Sequence, residues 1–191
     1  MKFFLIAISI GIITCSGCKN KEPTIEAPKQ TEKKNYFPVA DFLKGQIRIV
    51  DSLPTAILKI VITNNKSDSA YIQRDEFNGL AREFIFPELE QQGFENNFTE
   101  SSFVDQTTQS ATFAYFSKNS KLELQRVDVL ATPDELYSKV KSIFMQATML
   151  KNDTIVIKKL FWQTNDHFQV TTLIQAPNKP KIMKQLRIIW D

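Results

Sequence analysis

Histidine occurs once in this 191-residue chain, cysteine twice and glycine five times, and each scarcity removes a class of chemistry. His167 stands alone and both cysteines, Cys15 and Cys18, sit near the N-terminus, so the usual Cys/His zinc sites cannot be assembled within one chain. No D-x-[DN]-x-[DN]-G loop is present, which excludes a calcium site of that kind. Beyond residue 17 the glycines are Gly45, Gly79 and Gly93, too few and too scattered for a phosphate-cradling loop, a dinucleotide fingerprint or a G-x-S-x-G elbow. Charge of one sign is also scarce. With 24 Lys+Arg against 21 Asp+Glu, the net +3 is too slight a surplus to argue for nucleic acid, which requires a clustered basic face. What is present is 42% hydrophobic residues, enough apolar material to order a core, in a length that suits one domain.

The N-terminus carries the clearest signal. Met1-Lys2 is followed by an apolar run from Phe3 to Thr14 and then by Cys15-Ser16-Gly17-Cys18. A basic start, an apolar centre and small residues at a cut site are the layout of a secretory signal. The uncharged stretch 3–17 has 15 residues, short of the roughly 20 that cross a bilayer as a helix. Ser16-Gly17-Cys18 resembles the lipobox of bacterial lipoproteins, although Cys15 stands where such boxes commonly carry Leu. The resemblance covers residues 1–18 alone. It implies cleavage before Cys18 and acylation of its thiol, which leaves no second sulfur for an internal disulfide. It also implies the outer membrane, because Lys19 replaces the aspartate that retains many lipoproteins at the inner one. A periplasm-facing orientation is expected, since no acidic run follows Cys18. Residues 18–35 read as the lipidated cysteine and a polar tether, and residues 36–191 as a single domain.

Within that domain, Pro38 suits the first turn of a helix over 38–52, with Phe37, Phe42, Ile49, Val50 and Leu53 as its apolar face. The β-branched run 55–63 reads as a strand, closed by Asn64-Asn65-Lys66-Ser67-Asp68 and returning over 69–73. Phe77, Leu80, Ala81, Phe84, Ile85 and Leu89 recur at helical spacing through 74–92, with Pro87 kinking or ending the helix. Residues 95–108 read as a polar loop and 133–137 as a loop or one helical turn. Strands follow over 110–117, 122–130, 140–150, 154–163, 167–175 and 181–190, separated by short turns that require antiparallel pairing. The predicted fold is therefore α+β, an antiparallel meander of about six to eight strands with two N-terminal helices packed on one face.

Candidate chemistry is sparse. His167 beside Asp166 reads as turn structure and not as a catalytic pair. Ser138-Lys139-Val140-Lys141 matches S-x-x-K without its K-T-G partner. Glu76 and Glu83 lie two helical turns apart and read as a solvated face. Asp51-Ser52-Leu53, Asp68-Ser69-Ala70 and Asp153-Thr154-Ile155 resemble the O-glycosylation acceptor used on exported proteins by some Gram-negative bacteria, which makes Ser52, Ser69 and Thr154 candidate modification sites at element ends or turns. No catalytic, cofactor-binding or metal-ligating residue is expected. The sequence points to a lipid-anchored, non-enzymatic envelope protein that binds or scaffolds another envelope protein. The alternative is a periplasmic carrier or sensor of an apolar ligand. Its fifteen phenylalanines and curved sheet would resemble half-barrel lipid carriers in general architecture only.

Overall fold

The computed structural model describes residues 36–64, 66–90, 94–132 and 139–190. Nine strands form one sheet in the order β2-β1-β9-β8-β7-β6-β5-β4-β3, and every neighbouring pair is antiparallel. The strands are β1 (Ile57–Thr63), β2 (Lys66–Ile72), β3 (Phe98–Asp105), β4 (Ser110–Ser117), β5 (Leu124–Ala131), β6 (Val140–Lys151), β7 (Thr154–Gln163), β8 (His167–Gln175) and β9 (Ile182–Trp190). From β3 to β9 the chain is a meander, while the β1–β2 hairpin joins the other side of β9. The sheet is open, with β2 and β3 as its edges. Nine strands replace the six to eight expected, because β3 lies within the segment that reads as a polar loop.

Turn chemistry sets the registers. Asn152 and Asp153 both have positive φ, 45° and 59°, inside the tight turn that pairs Lys151 with Thr154. Two consecutive left-handed residues match the right-handed twist of a hairpin, and Asn and Asp tolerate that conformation better than other side chains. Asn64, Asn165 and Asn178 take the same conformation in the β1–β2, β7–β8 and β8–β9 connections.

Alternation along the strands then builds one dry face. Two rows run across the sheet, Val129–Ile143–Trp162–Phe168–Ile188 and Tyr115–Val127–Met145–Leu160–Val170, all buried. The helical segments lie on this face: α1 (Val39–Ser52), α2 (Arg74–Ala81), a 3₁₀ turn (Arg82–Phe84), α3 (Pro87–Glu90) and α4 (Phe94–Asn97). Phe77 of α2 packs on Phe168 and Trp190, and Phe84 of the 3₁₀ turn packs on Trp162 and Phe168. Polar ties fix the layer. Glu88 is buried and its Oε1 accepts the N–H groups of Glu123 and Leu124 at 3.1 and 3.3 Å, which holds α3 at the start of β5. Tyr115 Oη accepts the Phe37 N–H at 3.1 Å, which holds the entry to α1.

Two helix expectations are corrected. The 74–92 segment is not one helix: it narrows to the 3₁₀ turn after Ala81, becomes extended at Ile85 and restarts at Pro87. The residue before a proline is pushed out of the helical region, and Pro87 has no N–H to continue the ladder. In α1 the buried stripe is Val39, Ala40, Leu43, Gln46 and Val50, while Ile49 and Leu53 are exposed. Gln46 is drawn inward because its Oε1 accepts the Asn165 N–H from the β7–β8 turn at 3.3 Å.

Candidate functional site

The helix layer carries a groove on its outer side. With Leu43, Gln46 and Val50 of α1 committed to the sheet, Lys44, Ile47 and Arg48 occupy the adjoining sector, three and four residues apart and so neighbours along the helix. Arg82 and Ile85 face them from the 3₁₀ turn and the extended residue that leaves it. Together these five residues line a cavity of about 610 Å³. Ile47 and Ile85 are half-buried and form its apolar floor, while Lys44, Arg48 and Arg82 are exposed around it. Ile85 follows Arg82 by three residues, which a 3₁₀ turn brings onto one side, and together they form the facing wall.

The electrostatics of the rim are one-signed. Lys44 forms an ion pair with Glu90 of α3. Arg48 Nε donates to the Lys44 carbonyl at 3.3 Å within α1. Among the described residues no carboxylate pairs with Arg48 or Arg82. An apolar floor under two uncompensated guanidinium groups suits an occupant with an apolar body and an anionic edge, because Arg presents a planar fork that matches carboxylate or phosphate.

The residues singled out in the sequence are not brought together. Cys18 and Ser138 lie outside the described residues. Ser52 ends α1, with its Oγ donating to the Ile49 carbonyl at 2.8 Å. Thr154 opens β7, half-buried at the turn. Ser69 lies in the middle of β2 and not at an element end, because the hairpin turn is only two residues long and the strand begins at Lys66. His167 Nδ1 lies 3.1 Å from Asp166 Oδ2 without the alignment of a hydrogen bond, and its ring rests 5.8 Å from that of Phe161. Lys141 Nζ donates to Ser110 Oγ at 2.9 Å. Glu76 is ion-paired with Lys59 of β1, and Glu83 with Lys158 of β7 at 2.6 Å, so these two carboxylates tie helices to the sheet and do not face each other.

Of the groove residues the sequence singled out only Ile85, and only as part of the helical apolar pattern of 74–92. The Lys44/Ile47/Arg48 sector is visible there as an i, i+3, i+4 set, but its facing wall comes from a segment more than 30 residues away whose packing against α1 is a tertiary fact. No protein-family model, curated protein or solved structure matches the chain.

Proposed function

We propose that the protein is a lipid-anchored cell-envelope protein, acylated at Cys18 and held at the outer membrane facing the periplasm, whose domain is a non-enzymatic binding module. Its binding surface is the groove between α1 and the 3₁₀ turn, and its partner there is an envelope protein that presents an apolar, acidic segment. The anchor rests on the signal-like run and the Ser16-Gly17-Cys18 box. The groove carries the binding reading, through the pairing of Ile47 and Ile85 with Arg48 and Arg82.

A second reading, a carrier or sensor of an apolar ligand, is favoured by the volume of the same groove, which exceeds the roughly 300 Å³ at which small-molecule sites begin. It moves the ligand from the inside of the sheet to the outer side of the helices, since Phe77, Phe84, Trp162, Phe168 and Trp190 fill the space between them in mutual ring contact.

The deciding experiment places a photo-crosslinking amino acid at position 47 in the native envelope, with position 103 on the far edge strand as control. A discrete protein adduct at 47 alone supports the binding module, and it should disappear in Arg48→Glu/Arg82→Glu. A lipid adduct at 47 without any protein supports the carrier. No adduct at 47, or equal adducts at both positions, overturns the groove. The anchor is tested separately with Cys18→Ala, which should move the protein to the soluble periplasmic fraction.

A further inference from the structure

At one end of the sheet the strands β6 to β9 carry apolar residues on both faces, with Thr148 and Gln175 as the polar positions on the side away from the helices. On the helix side Met149 pairs with Val156, Val156 with Ile174, and Ile174 with Ile182. On the opposite side Leu150 pairs with Ile155, and Leu173 with Met183. An antiparallel sheet covered on one face ordinarily turns polar residues to water on the other, so the apolar residues on the outer side of this end are not explained by packing among the described residues. The side chains are also well exposed: Leu150 at 74%, Met183 at 53% and Ile155 at 39%.

The same end is basic. The β6–β7 turn carries Lys151, and the β8–β9 loop carries Lys179 and Lys181, all exposed. Asp153 is the one carboxylate among the described residues of these two connections. Between them lies a depression of about 350 Å³, bordered by Ile155, Lys179 and Lys181. The opposite end is mixed in sign, with Asp105 at the end of β3 and Asp166 in the β7–β8 turn beside Lys139 and Lys141 at the start of β6.

We propose that this end of the sheet docks on an anionic phospholipid surface, with Leu150, Ile155 and Met183 entering the interface and Lys151, Lys179 and Lys181 lying among the headgroups. Exposed apolar side chains ringed by lysines are the combination that gives peripheral binding: apolar area supplies one part and attraction to anionic lipid the other. The backbone permits it, since the β6–β7 ladder is closed up to the Lys151–Thr154 pair and brings few unsatisfied groups to the interface. Acylation of Cys18 is not required for this contact.

The test uses the full chain with Leu150→Trp as a reporter and vesicles of phosphatidylcholine with brominated acyl chains, with or without phosphatidylglycerol. Trp162 and Trp190 are buried and contribute a constant background. The reporter's emission should fall by about half on vesicles that contain phosphatidylglycerol, recover at high salt, and stay unchanged on phosphatidylcholine alone. Lys151→Glu/Lys179→Glu in the same background should weaken vesicle affinity about tenfold or more. A Phe103→Trp reporter, on edge strand β3, should not respond. Absence of quenching at 150, equal quenching at 150 and 103, or quenching indifferent to phosphatidylglycerol would each overturn the proposal. So would a stable dimer that buries this end, seen as a concentration-dependent sedimentation shift that Leu150→Asp abolishes.

Discussion

Replacing Phe84 with Ala tests whether the helix layer is held by the aromatic cluster or by its own helices. The 3₁₀ turn that carries Phe84 is three residues long, and α3 beyond it is four, so neither is stable by propensity. Phe84 is fully buried, edge-on to Trp162 at a ring distance of 5.2 Å and 85°, and equally close to Phe168. Among the described residues no acceptor reaches the buried indole N–H groups of Trp162 and Trp190, so ring packing must offset that cost before the cluster stabilises anything. Truncating a buried Phe to Ala costs about 3–5 kcal/mol, and that figure contains the edge-on pairs, each about 0.5–1.5 kcal/mol. Against a total of about 5–15 kcal/mol for a domain, this is a large fraction. In a chain of this length it corresponds to a melting temperature lower by about 6–20 °C. Urea titration followed in parallel by tryptophan emission and far-UV circular dichroism measures it, since Trp162 and Trp190 report from inside the cluster. Phe103→Ala, on an edge strand at 68% exposure, should stay within about 0.5 kcal/mol of wild type. A loss below about 1 kcal/mol for Phe84→Ala would refute the reasoning, as would a changed emission with an unmoved circular dichroism midpoint.

Glu88→Ala leaves the Glu123 and Leu124 N–H groups unpaired and should cost about 1–3 kcal/mol, whereas Glu88→Gln keeps an acceptor and should cost less; urea midpoints that rank the two the other way would count against α3 being tied through this carboxylate. Lys158→Ala should change stability by less than about 1 kcal/mol, because the Glu83 pair is partly solvated; a larger loss in the same assay would show that the pair, and not the rings, holds the 3₁₀ turn. Burial pushes the Tyr115 phenol well above its ordinary range, the Phe37 N–H partly opposing and Glu100 adding to the rise. Folding therefore favours the neutral phenol, so its contribution is complete below the unfolded value of about 10 and is lost as pH rises above it. The urea midpoint of wild type should fall more steeply between about pH 9 and 12 than that of Tyr115→Phe, and parallel slopes would contradict the assignment.

The central strands were legible because they bury one face each. In β4 the alternation of Ala111, Phe113 and Tyr115, and in β6 that of Ile143, Met145 and Ala147, is the direct imprint of the dry rows, and the structure has both strands within one residue of the expected bounds. Where a local irregularity intervenes, the imprint slips. In β5 the buried positions are Leu124, Val127, Val129 and Ala131, with register shifts at Leu124/Arg126 and Leu130/Ala131. A bulge adds one residue to the period and so hides the phase from a simple two-residue count. The 3₁₀ turn escaped for a related reason. Phe77, Ala81 and Phe84 keep helical spacing through it, while the exit at Ile85 precedes Pro87, which restricts Phe86 and cannot donate into the helical ladder.

The edge strands were the least legible, and the cause is physical. Phe98–Asp105 reads FTESSFVD, with only Phe98 buried, and Lys66–Ile72 reads KSDSAYI, with no residue buried. A strand with one neighbour and little to cover has no selection on alternate positions, so its sequence carries charge and turn-like residues instead of a period. That charge has its own use in an open sheet, because two unpaired ladders invite pairing with other chains. Lys66 and Asp68 on β2, and Glu100 and Asp105 on β3, place ionised groups on both free ladders, which raises the cost of adding a tenth strand. The same logic separates the two kinds of exposed apolar residue in this protein. Tyr71, opposite Leu58, and Phe103, beside Val104, stand on short edge strands that carry charged residues and call for no partner. Leu150 and Ile155 are direct cross-strand partners, and Met183 pairs with Leu173 in the next row of the same face, so these exposed side chains cluster on interior strands where isolated-residue statistics do not account for them.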